Sequence, residues 1–129
     1  MAGWADVRRI ALGLPETAEQ PVHGTAAWKV RGALFVWDRP LRKGDLEALG
    51  AAAPDGPVLG ARVPNLEAKE ALLAEDPEVY FTIPHFDGYL AVLVRLDRIG
   101  AEELRELIIE AWLCRAPKRV AAEYLKGAG

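Results

Sequence analysis

The sequence predicts an α+β fold: a two-layer sandwich in which an antiparallel sheet carries its helices on one side. The element order is α-β(3)-α-β(2)-α plus a C-terminal helix. Three observations predict it. Apolar residues recur at helical spacing near both ends of the chain, in Trp4, Val7, Ala11 and Leu14 and again in Leu104, Leu107, Ile108, Ala111 and Trp112. Between them lie short runs rich in β-branched and aromatic residues, bounded by glycine and proline. The connections suit hairpins, which join antiparallel strands, better than crossovers. At 129 residues, positions 1–129 are expected to form a single domain.

Pro15 closes the first helical pattern, and the polar stretch Glu16–Gly24 reads as loop. Ala26–Val30 and Ala33–Asp38 read as a hairpin turning at Arg31-Gly32. On its second strand Leu34 and Val36 are expected to face one way, and Phe35 and Trp37 the other. Apolar groups on both sides mark an interior strand. In the irregular segment Arg39–Pro57, Asp45 is expected to cap a short helix that Gly50 stops. Val58–Val63 is a third strand. Asn65 caps the next helix, whose apolar side is expected to be Leu66, Leu72 and Leu73. Val79–Ile83 and Tyr89–Leu96 are strands, the latter alternating strictly between Leu90, Val92, Val94, Leu96 and their neighbours. A helix over Ala101–Arg115 follows, and Pro117 is expected as the first residue of a final helix with Val120, Tyr124 and Leu125 inward.

Composition narrows the function classes. No apolar run approaches the roughly 20 residues that cross a bilayer, and the start Met1–Asp6 lacks the pattern of a signal peptide. The lone Cys114 forms no internal disulfide, which fits a reducing compartment, so a cytoplasmic location is expected. The formal net charge of −3 argues mildly against a dedicated nucleic-acid binder. The distribution says more. Lys29, Arg31, Arg39, Arg42 and Lys43 crowd one segment, and Arg115, Lys118, Arg119 and Lys126 another, while acids gather in Glu67–Asp87 and Asp97–Glu110. If the basic segments meet in space, the domain has a positive face and a negative back.

No catalytic constellation is legible. The two histidines, His23 and His85, are far apart, and with one helix cysteine they make no metal site; no metal or other cofactor is expected. There is no serine, and Cys114 within an apolar helix stretch reads as a small core residue. None of the glycines forms a phosphate-binding loop. Phe81–Tyr89 is the most distinctive local text. It reads first as a bend shaped by Pro84 and Gly88, and second as a loop presenting His85 and Tyr89 to a ligand or partner. Lys118 and Arg119, in the first turn of the last helix, read as a solvated face or as an anion site at the helix end.

The same residues carry a family resemblance. Ala11–Glu16, His23-Gly24-Thr25, Trp28-Lys29-Val30, Pro84-His85 and Ala111-Trp112 with Ala116-Pro117-Lys118-Arg119 resemble the MmcQ/YjbR family over nearly the whole chain. The resemblance implies a CyaY-like sandwich, described as a double-wing DNA-binding fold, and no catalytic residues. It implies a binding surface that includes Lys29 and Arg31. The Pro/Gly-rich segment Arg39–Pro57 departs from many members by its length. The expectation is a non-enzymatic DNA-binding module making a phosphate-dominated contact through a basic face of Lys29, Arg31, Arg39, Arg42, Lys43, Lys118 and Arg119. The alternative is a protein-interaction or chaperone-like domain, by analogy with secretion chaperones of the same sandwich, using Trp37, Phe86 or Tyr89. Convergence of the cations would favour DNA, a large apolar patch a protein, and a pocket with buried ionisable groups an enzyme.

Overall fold

Helix α1 (Trp4–Leu12) begins where the Asp6 carboxylate accepts the Gly3 backbone N–H at 2.9 Å, and it ends at Gly13. Val7 and Ala11 are fully buried, as their spacing predicts, and Trp4 stacks on Trp28 with ring centroids 6.3 Å apart. The structure is a computed structural model describing residues 2–128.

The expected loop Glu16–Gly24 contains a strand. β1 (Thr17–Glu19) pairs antiparallel with β2 (Ala27–Val30), and Val22 bridges Thr25 around His23 and Gly24. These two residues have φ of 51° and 80°. Positive φ at both central positions is the hairpin geometry that follows the twist of paired strands. Three residues of mixed polarity have no period to read, which hides this edge strand in the sequence. It is tied down by Glu19, which accepts from the Trp28 indole N–H at 3.1 Å and from two nitrogens of Arg8 on α1.

β3 (Ala33–Asp38) follows β2 through Arg31-Gly32, again with both φ positive, at 47° and 83°. The register shifts between Trp28 and Lys29, which leaves Phe35 without a partner. That bulge overturns the expected alternation. Phe35 and Val36 both join one core, while Trp37, with the partly buried Leu34, joins the other.

Arg39–Pro57 holds the short helix α2 (Lys43–Leu49). Asp45 is not its cap. It lies one turn inside, where its carboxylate accepts the Arg42 backbone N–H at 2.9 Å. β4 (Val58–Arg62) crosses the sheet, and α3 (Leu66–Glu75) starts at Asn65, whose side chain accepts from the Ala68 N–H at 2.7 Å as expected. The apolar side expected for α3 holds at Leu72 and Leu73, which are half-buried against the larger core, but Leu66 is exposed and the buried residue is Lys69.

β5 (Tyr80–Phe81) and β6 (Ala91–Arg95) are shorter than their apolar runs, because pairing of the first with β6 stops at Phe81 and Tyr89-Leu90 lies outside the ladder. All pairings are antiparallel, in the order β1-β2-β3-β4-β6-β5. α4 (Ala101–Arg115) buries Leu104, Leu107, Ile108, Ala111 and Trp112, the stripe read from the sequence. α5 (Lys118–Ala128) starts one residue after Pro117, whose carbonyl accepts the Ala121 N–H. Val120 is buried and Tyr124 half-buried against Trp112, but Leu125 faces solvent, contrary to expectation.

The fold is thus α+β, with its principal helices on one face of an open antiparallel sheet. Under α1 and α4 lies the larger core, including Trp28, Phe35, Val94, Ile108 and Trp112. On the other face a smaller cluster of Trp37, Phe81, Ile83, Phe86 and Leu93 is flanked by Leu41 and Leu49 from the Arg39–Pro57 segment. Gly60 of β4 pairs with Trp37, and a Cβ there would overlap the indole, so this close packing requires glycine.

Candidate functional site

The smaller cluster floors a cleft of about 450 Å³ on the sheet face opposite α1 and α4. Two turns form its mouth. One is the tight turn that carries His23; the other is the single 3₁₀ turn Pro84–Phe86 that carries His85. The histidines lie 62 positions apart in sequence (85 − 23 = 62), yet both line this cleft. Both are exposed, and neither imidazole has a hydrogen-bond partner among the described residues.

Lys69 fixes the second turn from beneath. Its ammonium donates to the Phe86 carbonyl at 2.7 Å and to the Tyr89 carbonyl at 2.9 Å. Burial lowers its pKa, and Asp87 partly opposes that shift. Above it, Phe86 meets Tyr89 edge to face at 5.2 Å, and Arg62 lies over the Tyr89 ring at 5.1 Å. Tyr89 is therefore held, and it is 40% exposed at the cleft rim. Trp37 and Phe86 are buried, which removes them as exposed anchors for a protein partner.

The opposite wall comes from the end of β3 and the start of α2. Arg39 forms an ion pair with Asp45 at 3.3 Å, with both side chains nearly buried, and its guanidinium lies 5.5 Å from the Phe86 ring centroid. Its charge is spent inside the protein. Arg42 lines the cleft and is exposed, with Lys43 beside it in the first turn of α2. Asp38 also lines the cleft, without a hydrogen-bond or ion-pair partner among the described residues, and burial raises its pKa.

The seven sequence-selected cations do not meet. Lys29 lies between Trp28 and Val30, which enter the larger core, so it points to the cleft side of the sheet along with Leu34, its cross-strand partner. Lys29, Arg39, Arg42 and Lys43 therefore belong to the cleft side. Arg31 sits at the tip of the β2–β3 turn, paired with Glu16 at 2.5 Å. Lys118 and Arg119 begin α5, whose Val120 enters the helix-side core. The expected positive face is divided between the two sides of the sheet.

Residues 12–114 match the YjbR family model. The chain belongs to the YjbR family. An uncharacterized protein of Mycobacterium bovis and one of Mycobacterium tuberculosis are each 52% identical over 132 aligned positions, covering 100% of this chain and 100% of theirs. A Deinococcus radiodurans protein with a DUF419 domain has the same fold, with a TM-score of 0.65 at 23% identity, covering 88% of this chain and 78% of its own. The family match reaches from the end of α1 almost to the end of α4, so both turns of the YjbR cleft lie inside it.

Within this YjbR domain, sequence reasoning found His85, Tyr89 and Arg42 but discounted His23 on its distance from His85. Asp38 and Lys69 were missed. A carboxylate ending an apolar strand and a lysine on the inward side of a helix were the available signals. Among the described residues, no group of three or more His, Cys, Asp or Glu side chains is placed to hold a metal. No helix is long and apolar enough to cross a membrane. Burial, with the nearby Glu110 carboxylate, raises the pKa of the Cys114 thiol, which disfavours the thiolate needed of a nucleophile.

Proposed function

We propose that this YjbR domain is a non-catalytic binding module that contacts DNA phosphates through the cleft side of its sheet. The full set of seven cations does not converge, so the reading is carried by the family resemblance together with a smaller group, Lys29, Arg42 and Lys43, on the same side of the sheet as the cleft that His23, His85 and Tyr89 rim. Lys29, Arg42 and Lys43 make no ion pair among the described residues, so their charges are available to phosphates. Arg39 supports the wall instead, and Arg31, Lys118 and Arg119 are not needed. The non-catalytic part of the reading is supported by Cys114, whose raised pKa works against a thiolate nucleophile, and by the two histidines, neither of which has a hydrogen-bonded orienting partner among the described residues.

Three phosphate contacts release few counterions, so the plot of log affinity against log salt should have a slope of about −2.7 on duplex DNA. Fluorescence anisotropy with a labelled duplex, titrated at several salt concentrations, measures it. Arg42→Glu with Lys43→Glu should weaken binding at low salt by at least about tenfold. Arg31→Gln, at a turn tip where the arginine is already paired with Glu16, should leave it nearly unchanged. Binding that is absent at low salt, or indifferent to salt, overturns the proposal.

A further inference from the structure

The helix side of the molecule has a second concavity, a groove of about 590 Å³ between α3 and α4. Its floor is apolar, with Val63, Leu72 and Leu107. Its rim is acidic, with Glu75 on α3 and Glu102, Glu103, Glu106 and Glu110 on α4. None of these five carboxylates has an ion-pair partner among the described residues. Glu103 is held in place by the Tyr80 hydroxyl, which donates to it at 2.5 Å. Glu102 and Glu103 are favoured in the first turn of a helix, but Glu106 and Glu110 gain nothing from the dipole and repel each other one turn apart. Arg62, the one cation that lines the groove among the described residues, has a buried Nε with no hydrogen-bond partner among them. A solvated helix face does not require an apolar trough flanked by unpaired acids.

The complementary surface is on α5. Val120 and Tyr124 turn inward, which leaves Lys118, Arg119, Ala122, Leu125 and Lys126 exposed. Their spacing places them on one side of the helix. Leu125 is 54% exposed, the most exposed large apolar side chain among the described residues, and it stands between cations. Glu123 lies at the border of this face. Among the described residues, none of α5 lines the groove of its own chain.

We infer that the protein forms a two-fold dimer in which α5 of each copy seats in the α3–α4 groove of the other. Leu125 meets the apolar floor, and Lys118, Arg119 and Lys126 meet the glutamates. The groove runs along the first two-thirds of α4 and α5 begins beyond its last turn, so antiparallel placement of two α4 helices brings each α5 to the other groove. The contact then closes on itself and doubles its area, as an isologous interface requires. This inference can fail while the DNA reading stands, since the dimer uses Lys118, Arg119 and Lys126 and the DNA reading uses Lys29, Arg42 and Lys43, although Arg62 of the groove lies over Tyr89 of the cleft rim.

Sedimentation velocity on the full chain tests it. A dimer is expected at low salt, with a dissociation constant that rises by on the order of tenfold at high salt, because the pairing is between charges. Lys118→Glu with Arg119→Glu and Lys126→Glu should be monomeric, and so should Glu106→Lys with Glu110→Lys. An equimolar mixture of the two variants should restore a dimer, which also shows that both are folded. A wild-type protein that stays monomeric overturns the inference, as does a dimer that survives either charge reversal or a mixture that fails to associate. A monomer whose groove instead binds a synthetic peptide of residues 116–127 overturns it too, and would assign the groove to a basic segment of another protein.

Discussion

At the scale of single residues, the cleft is defined by where charges are spent. Arg39 and Asp45 neutralise each other within the wall, whereas Asp38 is left in the cleft with no partner among the described residues. Burial raises the Asp38 pKa above its ordinary 3.8, so between that value and the folded pKa the folded state binds more protons than the unfolded chain. Stability contributed by this group is therefore present at low pH and lost as pH rises through the folded pKa. Asp38→Asn removes that loss. Urea midpoints measured from about pH 3.5 to pH 7 should show the variant gaining on the wild type as pH rises. A difference that is constant across this range would show that the Asp38 carboxyl is not desolvated.

At the scale of elements, legibility followed periodicity. α4 was legible residue by residue because five apolar side chains recur on one stripe over 15 residues. β6 was legible because Ala91 and Leu93 enter one core while Val92 and Val94 enter the other. β1 was not, since its three residues pair at an edge and carry no pattern. The β3 bulge was not, because a shift of register depends on two strands at once. The cleft was legible only in pieces: His23 and His85 are brought together by two turns that nothing local connects. Lys69 was hidden because a lysine on a helix normally faces water. Here its ammonium fills the place of a capping group for the Pro84–Tyr89 turn. Lys69→Met keeps the apolar stem and removes both bonds to the Phe86 and Tyr89 carbonyls. The loss should be about 1.5–3 kcal/mol, as for a hydrogen bond to a charged group, read from urea unfolding. Hydrogen exchange should quicken most in residues 84–89. Unchanged exchange there would mean that the turn holds its shape without Lys69.

At the scale of the whole molecule, one sheet serves two cores, and this decides how the protein unfolds. Along β3, Phe35 and Val36 enter the helix-side core and Trp37 enters the other; β6 divides its residues in the same way. Losing the smaller core would strip one face from β3 and β6 and leave their apolar side chains in water. That exposure, at roughly 25 cal/mol for each Å² of apolar surface, opposes any intermediate that keeps only the helix-side layer. The cleft and the α3–α4 groove therefore sit on a shared scaffold rather than on separable units. Unfolding should be a single transition, as it is for most domains under about 150 residues. The tryptophans report on both sides, with Trp28 and Trp112 under the helices and Trp37 beneath the cleft. In protein labelled with 5-fluorotryptophan, the ¹⁹F resonances of these three, out of four tryptophans in all, should lose native intensity at the same urea concentration, and far-UV ellipticity should fall with them. If the Trp37 resonance is lost at lower urea than the other two, the cleft face opens on its own and the shared-sheet argument fails.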